Sequence, residues 1–91
     1  MVSIDYFAIV EAPGESREDP GGLIRRASDG ERMVYQYFSR HDTWVTDFHG
    51  LSRYFYDARL DAVKISEEEA SAIIEDWTGE DPEHYMNQPP W

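Results

Sequence analysis

The sequence contains no cysteine, which excludes disulfide bonds, thiolate nucleophiles and zinc sites built from cysteine. A small domain without disulfide bonds suits a reducing compartment, so we expect a cytoplasmic location. No apolar run approaches the roughly 20 residues of a membrane-spanning helix, so no membrane association is expected. The first ten residues carry no basic side chain and include Asp5, so this stretch is not expected to be a signal peptide.

Basic residues are scarce, with 8 Lys and Arg against 19 Asp and Glu and a net charge of −11. This balance predicts a soluble acidic protein. It also opposes the approach of phosphate groups, so nucleic acid is not expected as a partner. The chain length of 91 residues predicts one domain, which we place over residues 1–78. Residues 79–91 are polar and proline-rich, and they are expected to form a tail that is packed on the surface or free in solution.

Residues 62–77 have the clearest pattern in the chain and predict a strand followed by an amphipathic helix. The alternation over residues 62–65 is typical of a half-buried strand. Ser66 is a good N-cap, and Glu69 stands at the capping-box position three residues later. Gly79 is expected to end the helix. The apolar stripe of the helix, spaced i, i+3, i+4 and i+7, consists of Ala70, Ile73, Ile74 and Trp77.

The first half of the chain predicts the sheet on which this helix packs. Strands are expected over residues 2–12, 23–28, 31–39 and 44–46, and the first of them is apolar enough on both faces to be central. A short helix is possible over residues 48–56. The fold class is therefore α+β in one pair of layers, with an antiparallel meander of four or five strands and the C-terminal helix on one face.

Asp29-Gly30 lies between two of these strands and is the strongest hairpin signal in the sequence. Neither face of the hairpin is cleanly apolar, so the face that meets the helix is left open. A two-residue turn at Asp29-Gly30 pairs Ser28 with Glu31, Arg26 with Met33 and Ile24 with Tyr35.

Arginine and aromatic residues are concentrated between residues 25 and 59, which hold six of the eight basic residues. Both residue types are enriched at the energetically dominant positions of protein interfaces. The leading hypothesis is therefore a non-catalytic interaction or regulatory module that binds a protein partner or a second copy of itself. The alternative is that the aromatics fill the core and the arginines pair with the protein's own acids. The proposed contact residues are Arg25, Arg26, Tyr35, Tyr37 and Trp44.

Acidic residues are concentrated in the last third of the chain and suggest a second hypothesis. Glu68, Glu75 and Asp76 are expected to project away from the apolar stripe of the helix. If they form a row with phosphate-like spacing, the protein could act as a nucleic-acid mimic that inhibits a DNA- or RNA-binding partner.

An enzyme is the third hypothesis, and it depends on His41, Asp42, Asp47 and His49 converging in a cleft. The spacing of these residues matches no zinc signature, and the sequence has no nucleophile elbow, phosphate loop or dinucleotide fingerprint. No catalytic residue, metal or cofactor is therefore assigned.

The succession G-L-I-R-R-A-S-D-G-E-R-M-V-Y-Q-Y-F, T-W-V, L-S-R-Y-F-Y-D and K-I-S-E-E-E-A-S-A-I-I-E-D-W resembles small acidic actinobacterial proteins of uncharacterised function. The resemblance covers residues 4–77. It implies the extent of the domain and no activity.

Overall fold

The computed structural model describes residues 1–39, 43–56 and 62–91, apart from the side chains of Arg53 and Tyr56. They form a five-stranded antiparallel sheet of order β4-β3-β2-β1-β5 and three helices. This confirms the predicted α+β class. The elements are β1 (Ser3–Ile9), β2 (Gly22–Ser28), β3 (Met33–Ser39), β4 (Thr43–Thr46), α1 (Phe48–Tyr56), β5 (Ala62–Ile65), α2 (Glu67–Thr78) and α3 (Glu83–Met86).

Strand β1 is central, as predicted, because it pairs with both β2 and β5. Its alternate side chains enter two separate cores. Tyr6 and Ala8 face α2 and pack with Ile73 and Ile74, in what we call the α2-side core. Residues of the opposite face pack against α1 in the α1-side core, which contains Phe7, Ile9, Ile24, Tyr35 and Leu51.

The expectation of a single pair of layers is therefore wrong, because helix α1 covers the second face of the sheet. The aromatic side chains of α1 cause this arrangement. The Phe55 ring lies 4.8 Å from the rings of both Phe7 and Tyr35. The start of α1 is held by Asp47, whose carboxylate accepts a hydrogen bond of 2.9 Å from the backbone N–H of Gly50.

Helix α2 begins and ends as the sequence predicts. The Ser66 hydroxyl accepts from the Glu69 N–H, and the Glu69 carboxylate accepts from the Ser66 N–H, both at 3.1 Å. This is a complete capping box. Arg17, from the loop after β1, pairs with Glu69 at 2.8 Å, so the loop is tied to the helix start. Gly79 ends the helix with a φ of +69°, a conformation that favours glycine.

The register of the β2–β3 hairpin is shifted by two residues from the predicted one. Ser28 pairs with Met33, and Arg26 pairs with Tyr35. Because the shift is an even number, every side chain stays on its expected face of the sheet. The predicted pairs that are wrong are Ser28 with Glu31, Arg26 with Met33 and Ile24 with Tyr35.

The side chain of Asp29 explains the shift. Its Oδ1 accepts from the backbone N–H groups of Glu31 and Arg32 at 3.0 and 2.7 Å. The Asp29 N–H donates to the Arg32 carbonyl at 3.2 Å, so Gly30 and Glu31 occupy the tip. Only Gly30 of these residues has a positive φ, +95°, so the turn is not the Asp-Gly type that needs positive φ at both positions.

Residues 79–91 contain the short helix α3, which has no periodic signal in the sequence. Tyr85 of α3 is 6% exposed and belongs to the α2-side core. The Trp44 indole N–H donates to the Tyr85 carbonyl at 3.0 Å, which ties α3 to β4. The sequence also predicts a turn over residues 40–43 and a loop over residues 57–61, and these two segments lie mostly or wholly outside the described residues.

Candidate functional site

The five residues predicted to form a contact surface lie on two different faces of the sheet. Arg25 and Trp44 point towards α2, while Arg26, Tyr35 and Tyr37 are on the α1 side. Arg25, Tyr35 and Trp44 are 0%, 2% and 6% exposed. Tyr37 is 39% exposed, and Arg26 forms an ion pair with Asp5 at 3.2 Å.

These positions correct the expectation that the five side chains share one exposed surface. Arg25, Tyr35 and Trp44 are buried in the folded protein and cannot form a contact surface. Arg26 is half-buried, with its guanidinium 5.2 Å from the Phe7 ring and 5.1 Å from the Phe55 ring. Tyr37 alone is well exposed, and binding through it stays a prediction.

A concave surface of a different kind lies between α2 and α3. It is a groove with a volume of about 560 Å³. Five of its side chains are acidic, and no lysine or arginine is among the described residues that line it. We call it the acidic groove, and its lining is Glu67, Glu68, Ser71, Ala72, Glu75, Asp81, Pro82, Glu83, Met86 and Asn87.

The acidic groove follows from the amphipathic pattern of α2. Ile73 and Ile74 are buried against the sheet, so the opposite stripe of the helix must face outwards. That stripe carries Glu68 and Glu75, both exposed. Ser71 and Ala72 lie between them in the sequence and also line the groove.

Helix α3 forms the other wall because Tyr85 anchors it. The Tyr85 ring packs edge-on against Phe38 at 5.2 Å, and its hydroxyl donates to the Glu80 carboxylate. With this side chain directed inwards, Glu83 and Met86 of the same helix line the groove. Asp81 joins them, and its carboxylate accepts from the Glu83 N–H at 3.0 Å.

The three residues of the predicted acidic face are exposed, but they do not share one surface feature. Glu68 and Glu75 line the acidic groove, whereas Asp76 is outside its lining. Asp81 and Glu83 join the acidic groove because α3 places them there. Sequence reasoning missed this wall since a four-residue helix is too short to produce a periodic pattern. The one available signal was Pro82, which favours a helix start.

Of the four residues in the enzyme hypothesis, the structure describes Asp47 and His49. Asp47 binds the first turn of α1 through its carboxylate. His49 is exposed, with its ring 5.8 Å from that of Phe48. His41 and Asp42 lie outside the described residues, so convergence of the four stays a prediction. Among the described residues, no group of three or more His, Asp or Glu side chains is arranged to hold a metal ion.

Comparison of the chain with protein-family models, curated proteins and solved structures gives no match. The resemblance to small acidic actinobacterial proteins therefore stays a prediction. The structure defines the class of the protein as a small α+β domain with helices on both faces of its sheet and an acidic groove. In the described part of the chain, no helix is both long and apolar enough to span a bilayer.

Proposed function

We propose that this protein is a non-catalytic interaction module that binds a basic segment of a partner protein in the acidic groove. The observation that carries the proposal is the acidic groove itself, a concavity of about 560 Å³ with five acidic side chains along its walls. Concave surfaces with convergent polar groups are where proteins usually bind their ligands.

Charge favours a basic partner. The five acidic side chains face a groove without a described lysine or arginine in its lining, and the whole protein carries −11. Such a field attracts a cationic segment and accelerates its association. It repels acidic ones, which gives the site selectivity.

The apolar part of the acidic groove suits the same ligand. Ala72 and Met86 lie among the acids, and the long stems of lysine and arginine pack on apolar surface while their charged ends reach acceptors. Met86 has a flexible thioether side chain, which adapts to different neighbours. A segment that alternates basic and aliphatic residues therefore satisfies both parts of the lining.

The experiment is a calorimetric titration with a short synthetic peptide in which arginine and leucine alternate. The variant Glu68→Gln/Glu75→Gln removes two groove charges with little change of shape. It should weaken binding by roughly 2- to 30-fold, the equivalent of two partly exposed ion pairs. The matched control is Glu11→Gln/Glu31→Gln, which removes the same charge from exposed positions outside the lining.

The proposal fails if the peptide does not bind at low salt. It also fails if both double variants weaken binding equally, because the attraction then depends on net charge alone. Binding to the acidic groove should decrease with added salt, since interactions between exposed charges are screened over about 8 Å at physiological ionic strength.

The exposure of Glu68, Glu75 and Asp76 also supports an acidic mimic of nucleic-acid phosphates as a second candidate. Asp76 distinguishes the two functions, because it lies outside the groove lining. Under mimicry, the protein displaces duplex DNA from a lysine-rich DNA-binding domain, and Asp76→Asn reduces that displacement. Under the groove proposal, Asp76→Asn leaves peptide binding unchanged. Failure to displace DNA at low salt would exclude the mimic.

A further inference from the structure

Arg25 is fully buried and its charge is incompletely satisfied. Its side chain is 0% exposed. Its Nε donates to Gln36 Oε1 at 2.6 Å, and its guanidinium lies 4.5 Å from the centre of the Trp44 ring. The two terminal nitrogens, Nη1 and Nη2, have no partner with full hydrogen-bond geometry among the described residues, and the nearby Tyr6 hydroxyl interacts with the guanidinium by partial hydrogen bonding.

A buried cation without a counter-ion is unfavourable, because burial removes its hydration and the surroundings do not replace it. Burial lowers the pKa of the Arg25 guanidinium, and the neighbouring Tyr6 phenol partly opposes the change. The same burial raises the pKa of Tyr6, so the phenol stays protonated and is no counter-ion. The four N–H groups on Nη1 and Nη2 form a planar fork that matches a carboxylate.

The C-terminal residues 88–91, which we call the strap, are held by the same side chain that holds Arg25. Gln36 accepts from Arg25 through Oε1, and through Nε2 it donates to the Pro90 carbonyl at 3.2 Å. The rest of the strap is attached at the surface. Gln88 accepts from the Thr43 hydroxyl at 3.0 Å, and the Trp91 ring lies under the Arg32 guanidinium at 4.3 Å.

The strap is only partly buried and makes few contacts with the rest of the protein, so it can be displaced. Gln88 and Pro90 are half-buried, and Trp91 is 43% exposed. Its contacts to Gln36, Thr43 and Arg32 are single and mostly at the surface, so opening it costs little compared with opening the core. Gln36 also donates to the Thr46 hydroxyl at 3.0 Å, so releasing Pro90 removes one of its three side-chain hydrogen bonds and loosens the side chain that lies next to the fork.

We propose that Arg25, Gln36, Tyr6 and Trp44 form a binding site for a small carboxylate ligand, and that the strap covers it. The carboxylate accepts two hydrogen bonds from Nη1 and Nη2 and supplies the missing counter-charge. A monoanion balances the single guanidinium charge, whereas a phosphate dianion leaves an excess negative charge in a protein that already carries −11. Trp44 offers an apolar wall for the aliphatic part of the ligand.

The test is an NMR titration of the labelled full chain with sodium propionate, with chloride replaced to keep the ionic strength constant. Propionate should shift the Trp44 indole N–H and the Arg25 Nε–H signals in a saturable manner. Sodium phosphate should have a weaker effect, and chloride none. Trp91→Ala removes the Arg32 contact of the strap and should tighten apparent binding several-fold, because the open form becomes more populated.

Two substitutions of Arg25 connect the response to its guanidinium. Arg25→Met should abolish the Trp44 shift. Arg25→Lys keeps the charge but removes the planar fork, and it should weaken propionate binding roughly tenfold. This second variant provides the test if Arg25→Met does not fold. The control Arg26→Met changes the neighbouring, half-buried arginine and should bind propionate like the parent.

Three results would overturn the proposal. One is a Trp44 shift that survives Arg25→Met or is unchanged in Arg25→Lys. Another is an equal response to chloride, which indicates a general salt effect. The third is the lack of a saturable response in both the parent and Trp91→Ala.

Discussion

The guanidinium of Arg25 lies 4.5 Å from the centre of the Trp44 ring, inside the protein rather than on its surface. This contact joins β2 to β4 across the intervening strand β3. The Trp44 indole then donates to the backbone of Tyr85. A chain of contacts therefore runs from the centre of the sheet to α3, so the C-terminal residues take part in the packing of the core.

Tyr85→Ala tests that role of α3. Tyr85 is 6% exposed and packs against Phe38, so its truncation should cost about 3–5 kcal/mol of unfolding free energy. Urea denaturation measures the change. The exposed neighbour His84 is the control, and His84→Ala should change stability by no more than about 0.5 kcal/mol. Equal effects of the two substitutions would show that α3 is not docked.

Ile74→Ala tests the packing of α2 on the sheet. Ile74 is 0% exposed in the α2-side core, and its truncation leaves a cavity that costs about 2–5 kcal/mol. The thermal midpoint and the urea midpoint should both fall. Asp76→Ala, at an exposed position two residues later, should leave both nearly unchanged. A parent-like midpoint for Ile74→Ala would refute the fold.

A double-mutant cycle on Arg25 and Gln36 measures how strongly the two side chains depend on each other. Gln36→Leu leaves Arg25 Nε, the Thr46 hydroxyl and the Pro90 carbonyl without their partner. It should cost about 1–3 kcal/mol. In the double variant with Arg25→Met, the loss of unfolding free energy should be smaller than the sum of the losses in the two single variants. The difference, which is the coupling energy, should be about 0.5–3 kcal/mol. Simple additivity would contradict the contact.

The lowered pKa of the Asp29 carboxyl predicts that the stability of the protein depends on pH. The backbone N–H groups of Arg32 and Glu31 lower the pKa of its carboxyl from 3.8 to about 2. Since the folded pKa is the lower one, the stability that Asp29 contributes is complete above pH 3.8 and is lost as the pH falls through about 2. Carboxyl NMR titration should place its midpoint near 2, and a value near 3.8 would exclude the turn geometry.

The local parts of this fold could be predicted from the sequence because local interactions determine them. The pattern from Ser66 to Gly79 contains the cap, the apolar stripe and the left-handed end of α2 in one continuous segment. The side-chain faces of the hairpin were predictable for the same reason, since they depend only on alternation. The register of the β2–β3 hairpin could not be predicted in this way, because the Asp29 side chain bonds to the backbone and moves the turn to Gly30 and Glu31.

The candidate site depends on interactions between distant segments, which periodicity does not show. Arg25 and Arg26 are adjacent in the sequence, yet one is buried on the α2 side and the other pairs with Asp5 on the α1 side. The acidic groove needs α3, whose position depends on the burial of Tyr85. The sequence therefore predicted Glu68 and Glu75 as exposed acids but not the groove that they line.

The most direct test of the central proposal is to map where a basic peptide contacts the labelled protein by NMR. We predict that the alternating arginine–leucine peptide shifts the backbone signals of Ser71, Ala72 and Asn87, which line the acidic groove. The signals around Tyr37, on the opposite side of the sheet, should stay in place. Shifts centred on Tyr37 with none at Ser71, Ala72 and Asn87 would contradict the proposal.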